Sequence, residues 1–233
     1  KFGAITFPGS NGEHDAVKAV EIGLGMPVEA VWYKERSLDG FDCLLIPGGF
    51  SYGDYLRPGA IARFAPIMAA VEEFAAAGGP ILGICNGFQV LTEAGLLPGA
   101  LLRNQSLQFR CAWVNVRTES VRTSWTSGLH EGEVLRLPVA HGDGRFFAEP
   151  EEAQRLEANG QIIFRYTDET GRRSPDANPN GSIDDIAGIS NEAGNVVGLM
   201  PHPERAYSEL IGSADGLKVL SSVLRAGVET VAR

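Results

Sequence analysis

Cys85 is the residue in this chain best placed to act as a nucleophile. It stands in Pro80-Ile-Leu-Gly-Ile-Cys-Asn-Gly-Phe-Gln89, flanked by Gly83 and Gly87 in the order Gly-x-Cys-x-Gly. That is the spacing of a nucleophile elbow with sulfur in place of oxygen. A thiol does such work as its thiolate, which a helix N-terminus favours through its dipole and free N–H groups. It also needs an imidazole to take the thiol proton and an acceptor to orient that imidazole. Gly198-Leu-Met-Pro-His-Pro-Glu-Arg205 offers both in His202 and Glu204, two positions apart. Prolines keep this turn rigid and extended, and alternate residues of an extended segment point the same way. Each feature has a bland explanation on its own: a buried thiol at a strand end, or a surface turn carrying a histidine. Found together they point to acyl transfer on sulfur.

These residues need a scaffold that brings them to one edge, and the hydrophobic pattern supplies it. Ile81–Ile84 is a short apolar run between Gly79-Pro80 and the elbow, and a helical pattern follows from Phe88 to Ala94. Strands are expected at residues 2–7, 28–33 and 42–46, with helices at 13–24 and 60–77. Strand and helix thus alternate with short connections, which argues for an α/β fold with a doubly wound, parallel sheet flanked by helices. Active sites in such sheets lie beyond the carboxyl ends of the strands. Pro8-Gly-Ser-Asn, Pro47-Gly-Gly-Phe50 and Cys85 all fall there. The Pro47 turn can be a tight strand exit; beside a nucleophile, its glycines let backbone N–H groups face an oxyanion, and with the N–H of Asn86 they can form an oxyanion hole. The loop from Ser51 to Gly59 reads as a lid or a docking surface.

Beyond Leu97-Pro-Gly99 the pattern changes. Strands at 107–116, 134–139 and 161–167, with few helices between them, suggest antiparallel additions to the sheet. Residues 168–184, dense in Gly, Pro, Asn and Asp, read as a turn-rich surface loop. Late strands follow at 186–189 and 196–200, and an amphipathic helix from Asp215 to Val231 closes the chain. No repeat, low-complexity segment or phosphate-binding loop breaks this plan, so residues 1–233 are read as a single domain.

Composition excludes several functions. With 44% hydrophobic and 21% charged residues, the chain has the make-up of an ordinary globular protein. A net charge of −9, with the basic residues dispersed, argues against nucleic-acid binding and attraction to anionic membranes. No apolar run reaches a membrane span and no cationic start leads into an apolar signal core. Three cysteines do not make a disulfide framework, so a reducing, cytoplasmic setting is expected. Cys43 and Cys111 read as inert core thiols, and His14 and His130 as surface residues.

The motifs resemble the class I (triad) glutamine amidotransferases. Closer still, Pro47-Gly-Gly-Phe-Ser-Tyr-Gly-Asp-Tyr-Leu-Arg57, Pro138-Val-Ala-His-Gly-Asp-Gly-Arg145 and Met200-Pro-His-Pro-Glu-Arg205 are similar to the glutaminase subunits of phosphoribosylformylglycinamidine synthase in its small, multi-subunit form. The likeness runs essentially end to end. It implies that Cys85 attacks the side-chain amide of glutamine, with His202 as base and then acid and Glu204 orienting it. Gly49 and Asn86 would hold the oxyanion and Gln89 would line the glutamine site. His141, in a family-specific motif, is either a structural residue, part of the site, or a contact to the synthetase. The ammonia would pass to a large synthetase subunit, joined by a small bridging subunit, which uses ATP and Mg²⁺. This chain itself would need no metal or cofactor, and little activity is expected before assembly.

Three rivals share part of the pattern. In an α/β-hydrolase with a cysteine nucleophile the acid precedes the histidine, whereas Glu204 follows it here. A small cysteine hydrolase of the DJ-1/PfpI type shares the fold but has no need of the His-Pro-Glu turn. A non-catalytic scaffold subunit has no need of intact Cys85, His202 and Glu204.

Overall fold

The computed structural model describes residues 1–231. Its elements in chain order are β1 (Phe2–Thr6), α1 (Glu13–Lys18), β2 (Val28–Trp32), β3 (Cys43–Ile46), α2 (Met68–Ala76), β4 (Ile81–Ile84), α3 (Asn86–Glu93), β5 (Ala100–Leu102), β6 (Arg110–Thr118), β7 (Val134–His141), β8 (Arg145–Phe147), α4 (Pro150–Ala158), β9 (Ile162–Thr167), β10 (Ile186–Ser190), β11 (Val196–Leu199) and α5 (Asp215–Val231).

Nine strands form one sheet in the order β2-β1-β3-β4-β11-β10-β9-β6-β7. The run from β2 to β11 is parallel and the run from β11 to β7 antiparallel. This is the doubly wound sheet with antiparallel additions that the pattern predicts. The central strands β3, β4 and β11 are buried along their whole length. Covered on both faces by helices, they read as unbroken apolar runs without alternation. Because β1, β3, β4 and β11 are parallel neighbours, their carboxyl ends share one edge. The turn after β1, the glycines after β3, Cys85 after β4 and His202 after β11 therefore meet.

Several expectations need correction. The helix expected over residues 60–77 is broken. Ala62–Phe64 is a 3₁₀ turn, and Ala65 is extended at φ −64°, ψ 146°, so α2 starts only at Met68. The cause is Pro66, whose ring clashes with an α-helical conformation of the preceding residue. The helix over 13–24 changes to π-helical winding across Ala19–Leu24 and ends at Gly25 with φ +65°. Helix α4 was not foreseen among the later strands, although Pro150 at its start and Glu151 and Glu152 in its first turn are a helix-start pattern. Strands β5 and β8 pair into a separate two-stranded sheet.

The loop over residues 168–184 carries only 3₁₀ turns, but it is not confined to the surface: Asn180 and Ser182 are buried. Cys111 is exposed, unlike the buried Cys43. β9 pairs with β6 only from Asn115 to Thr118, so the first half of β6 is held by β7 alone.

Candidate active site

Cys85 leaves β4 at φ 50°, ψ −103°, a region that non-glycine residues rarely adopt and that persists only when the surroundings impose it. Here they do. The Cys85 N–H donates to Leu199 O at 2.8 Å, and its carbonyl accepts from the Gln89 N–H at 3.1 Å, which opens α3. The flanking glycines let strand and helix pass this closely. A Cβ on Gly87 would lie 1.8 Å from the carbonyl oxygen of Ile46, and one on Gly83 would lie 2.7 Å from the Gly87 carbonyl carbon. The thiol is nearly buried, yet Cys85 lines a cavity of about 240 Å³.

His202 and Cys85 meet over Gly48. A Cβ placed there would be 2.7 Å from His202 Cε1 and 3.5 Å from Cys85 Cβ. The His202 backbone N–H is tied to Pro138 O on β7 at 2.8 Å. Its Nδ1 lies 2.5 Å from Glu204 Oε1, so Nδ1 carries the proton given to the carboxylate. Nε2 is buried without a partner and is left for the thiol proton. Burial disfavours the imidazolium, but the charges of Glu204 and Cys85 outweigh it and push His202 up to about 10. The arrangement thus favours the charged imidazolium at His202.

The turn after β1 sets the glycine strand after β3. Gly12 N–H donates to Gly48 O at 3.1 Å and Phe50 N–H to Gly9 O at 3.1 Å. With its neighbours so held, Gly49, at φ +142°, lines the cavity, and its own N–H has no acceptor among the described residues. The Asn86 N–H, in the first turn of α3, has none either. The Asn86 side chain, in contrast, is fully used. Its Oδ1 accepts from the Ser51 N–H at 3.1 Å, and its Nδ2 donates to Gln89 Oε1 at 2.9 Å. Gln89 continues this chain, donating from Nε2 to Asp143 O at 2.7 Å. It lines the cavity and also braces α3 against the turn after β7.

His141 belongs to the site and not to an exposed surface. It is buried against the cavity, and Asn104 holds it. The Asn104 Nδ2 donates to Gln108 O at 2.8 Å and His141 O at 2.9 Å, while its Oδ1 accepts from Gly144 N–H at 3.0 Å. That fixes Oδ1 as acceptor for the His141 Nδ1–H at 3.1 Å. Asn180, from the loop after β9, donates to Gly144 O at 2.8 Å and faces His141 Nε2 at 3.5 Å. Burial, aided by the positive charge at His202, holds His141 down at about 4, so its ring is neutral.

Sequence reasoning missed Asn104 and Asn180, as well as Asp54, Arg103 and Asp143, which also line the cavity. Asp54 and Asp143 do lie inside motifs that the sequence singles out; Arg103 and Asn104 carry no local signal. Cys43 is removed from any chemistry, since burial pushes its thiol up to about 12. His14 and His130 are exposed as expected.

An elbow cysteine, a buried His–Glu pair and two N–H groups without acceptors thus stand together at the carboxyl edge of the parallel part of the sheet, the arrangement expected of the triad amidotransferases. In agreement, the family model described as a CobB/CobQ-like glutamine amidotransferase domain matches residues 2–216, and the chain belongs to that family. Two curated relatives, each called phosphoribosylformylglycinamidine synthase subunit PurQ, place it more closely. The protein from Thermomicrobium roseum is 64% identical over 98% of this chain and 97% of its own length. That from Moorella thermoacetica is 54% identical over 96% and 95%. Within the amidotransferases, the chain belongs to the PurQ family.

The solved structure of PurLQS from Thermotoga maritima contains a chain that is 43% identical with a TM-score of 0.85, covering 97% of both chains. A glutamine amidotransferase from the same organism shares the fold at 18% identity and a TM-score of 0.56, over 99% of this chain and 84% of that one.

Proposed function

We propose that this chain hydrolyses glutamine to glutamate and ammonia and supplies the ammonia for phosphoribosylformylglycinamidine synthesis in purine biosynthesis. The observation that carries the reading is the meeting over Gly48 of Cys85, on its strained elbow beside the cavity, with His202, whose Nε2 is buried without a partner. The relatives named as PurQ, at up to 64% identity, support the pathway. The Cys85 thiolate attacks the side-chain amide carbon, and the oxyanion is received by the N–H groups of Gly49 and Asn86. His202 gives its proton to the departing nitrogen, releasing ammonia and leaving a γ-glutamyl thioester. It then takes a proton from water, whose oxygen attacks the thioester carbon, so that the carbon–sulfur bond breaks, glutamate leaves and the thiolate–imidazolium pair is restored. Glu204 keeps the Nδ1–H tautomer throughout.

The synthetase step belongs to partner chains, the large synthetase and small bridging subunits, as the PurLQS assembly of the Thermotoga maritima relative suggests. ATP and Mg²⁺ are used there, and this chain needs no cofactor of its own. We place the reaction in the cytoplasm; no helix among the described residues is long and apolar enough to cross a membrane.

The test is incubation with a diazo-ketone analogue of glutamine, with and without the partner subunits, followed by mass mapping. Adducts are expected on Cys85, suppressed by glutamine and strongest in the assembly, with Cys43 and the exposed Cys111 unlabelled. An unlabelled Cys85 in the complete assembly would overturn the reading.

A further inference from the structure

Behind the triad, one buried oxygen lies open. Glu204 Oε1 accepts from His202, but Oε2 has no partner among the described residues. Buried carboxylate oxygens are ordinarily satisfied, and a guanidinium is the donor best shaped to satisfy both at once. Arg205, the next residue, brings one to 3.9 Å from Glu204 Oε1. It is nevertheless turned away, and its Nε donates to Asp15 Oδ2 on α1 at 2.9 Å. Both members of that pair are partly exposed, whereas Glu204 is fully buried.

The backbone does not decide this choice. The Arg205 N–H donates to His202 O at 3.2 Å, and the Gly216 N–H at the start of α5 donates to Ala206 O at 2.7 Å. A Cβ on Gly216 would lie 1.9 Å from Pro203 O, so α5 packs directly on the turn. With the turn fixed at both ends, only the Arg205 side chain is left to choose between two carboxylates. Its choice matters to His202. Burial works against the imidazolium, and Glu204 is the first of the charges that overcome it. A guanidinium on Glu204 would draw on that charge; on Asp15 it leaves the charge to His202.

The other titratable groups on the described elements packed against the turn are placed otherwise. On α1 and the winding that follows it, Glu13 has its Oε2 buried without a partner, and His14, Lys18 and Glu21 are exposed. On α5, Asp215 accepts from the Arg136 N–H and pairs with Lys218, and Arg225 is exposed. β7 brings the exposed Arg136 and the neutral ring of His141, and β4 leads into Cys85.

We propose that Asp15 and Arg205 are positioning residues for the triad: Asp15 draws the guanidinium off Glu204, so that the buried carboxylate serves His202 alone. The inference rests on the glutaminase reading of the site and adds what sets the strength of its base.

The test joins the ring titration of His202, followed by NMR on the whole chain, to the pH dependence of glutamine turnover in the assembled complex. In Asp15→Asn the released guanidinium turns to Glu204. The His202 titration should then move to lower pH and the alkaline limb of kcat with it, so that turnover at a pH on that limb falls by about three- to tenfold. Arg205→Gln removes the competing charge and should move both to higher pH. In Asp15→Asn/Arg205→Gln no guanidinium is left to turn, and the titration should match that of Arg205→Gln alone. An ion pair that only supports the fold responds with the same sign to loss of either member, so downward shifts in both single variants would overturn the proposal. So would an unmoved titration in Asp15→Asn. A titration lower in the double variant than in Arg205→Gln would overturn it too, because Asp15 would then act by its own charge. A wild-type complex without glutamine turnover removes the glutaminase reading, and the ring titration still decides which carboxylate holds Arg205.

Discussion

Glu204 is fully buried, gives one oxygen to His202 and leaves Oε2 without a partner. A buried carboxylate so poorly served by donors is tolerated because the imidazolium beside it supplies a compensating charge. His202 is raised above the usual value of about 6.5, so the stabilisation from its charged form is complete below that pH and is lost as pH rises through about 10. Glu204→Gln removes the charge that raises it. We expect kcat to fall by about 10²–10⁴-fold, and the His202 ring titration, followed by NMR, to move to lower pH. An unchanged titration would mean that Glu204 does not hold the imidazolium. At this scale the triad was legible because glycines and prolines announce the backbone around Cys85, His202 and Glu204. Asn104 and Asn180 were not, because a buried asparagine gains its meaning from which distant loops meet around it. Here that is the turn at Gly144, tied to Asn104 Oδ1 at 3.0 Å and to Asn180 Nδ2 at 2.8 Å.

Elements carry the site through close approaches that only certain residues permit. The elbow works because α3 crosses β3 at Gly87, where a Cβ would lie 1.8 Å from the Ile46 oxygen. The obstacle is backbone in the middle of the sheet and cannot swing aside. Gly87→Ala should therefore cost about 3 kcal/mol or more in denaturant unfolding, and a loss below about 1 kcal/mol would show that α3 can move away. The loop after β9 acts at longer range, since Asn180 supports both Gly144 and His141. Asn180→Ala leaves those buried groups short of a donor, with an expected loss of about 1–3 kcal/mol. Slower modification of Cys85 should accompany it, because Ala140, whose carbonyl lies 3.8 Å from the thiol sulfur, precedes His141 in the chain. Full stability in that variant would make the loop a passive cover. The parallel half of the sheet was readable from its apolar runs and short connections. The break before α2 is equally legible in Pro66, although the alanine-rich pattern around it looks continuous. The inward turn of the loop after β9 was hidden because polar residues that fold inward look the same in sequence as polar residues that face water.

At the scale of the whole molecule, the cavity opens onto an unusually apolar rim. Phe50, Leu107 and Phe109 line it and are exposed, with Tyr55 and Leu56 close by in sequence at 74% and 90% exposure. Leu56 is held at φ +70°, so an exposed leucine stands on a backbone that resists collapse onto the protein. Single exposed apolar residues are ordinary, whereas a group of them around a functional opening marks a docking face. On the proposed function, ammonia released at Cys85 has to reach a second chain, and a partner seated on this rim would close the cavity to water at the point of transfer. Leu56→Asp tests this without touching the triad or the cavity wall. We expect association with the synthetase and bridging subunits, followed by sedimentation velocity, to weaken by about tenfold or more. Glutamine-dependent synthesis should fall in proportion at limiting partner concentration and recover when the partners are in excess. The melting temperature of the isolated chain should stay unchanged, because the side chain is already in water. Unaltered association would place the synthetase on another face and leave the apolar rim to be explained by substrate entry alone.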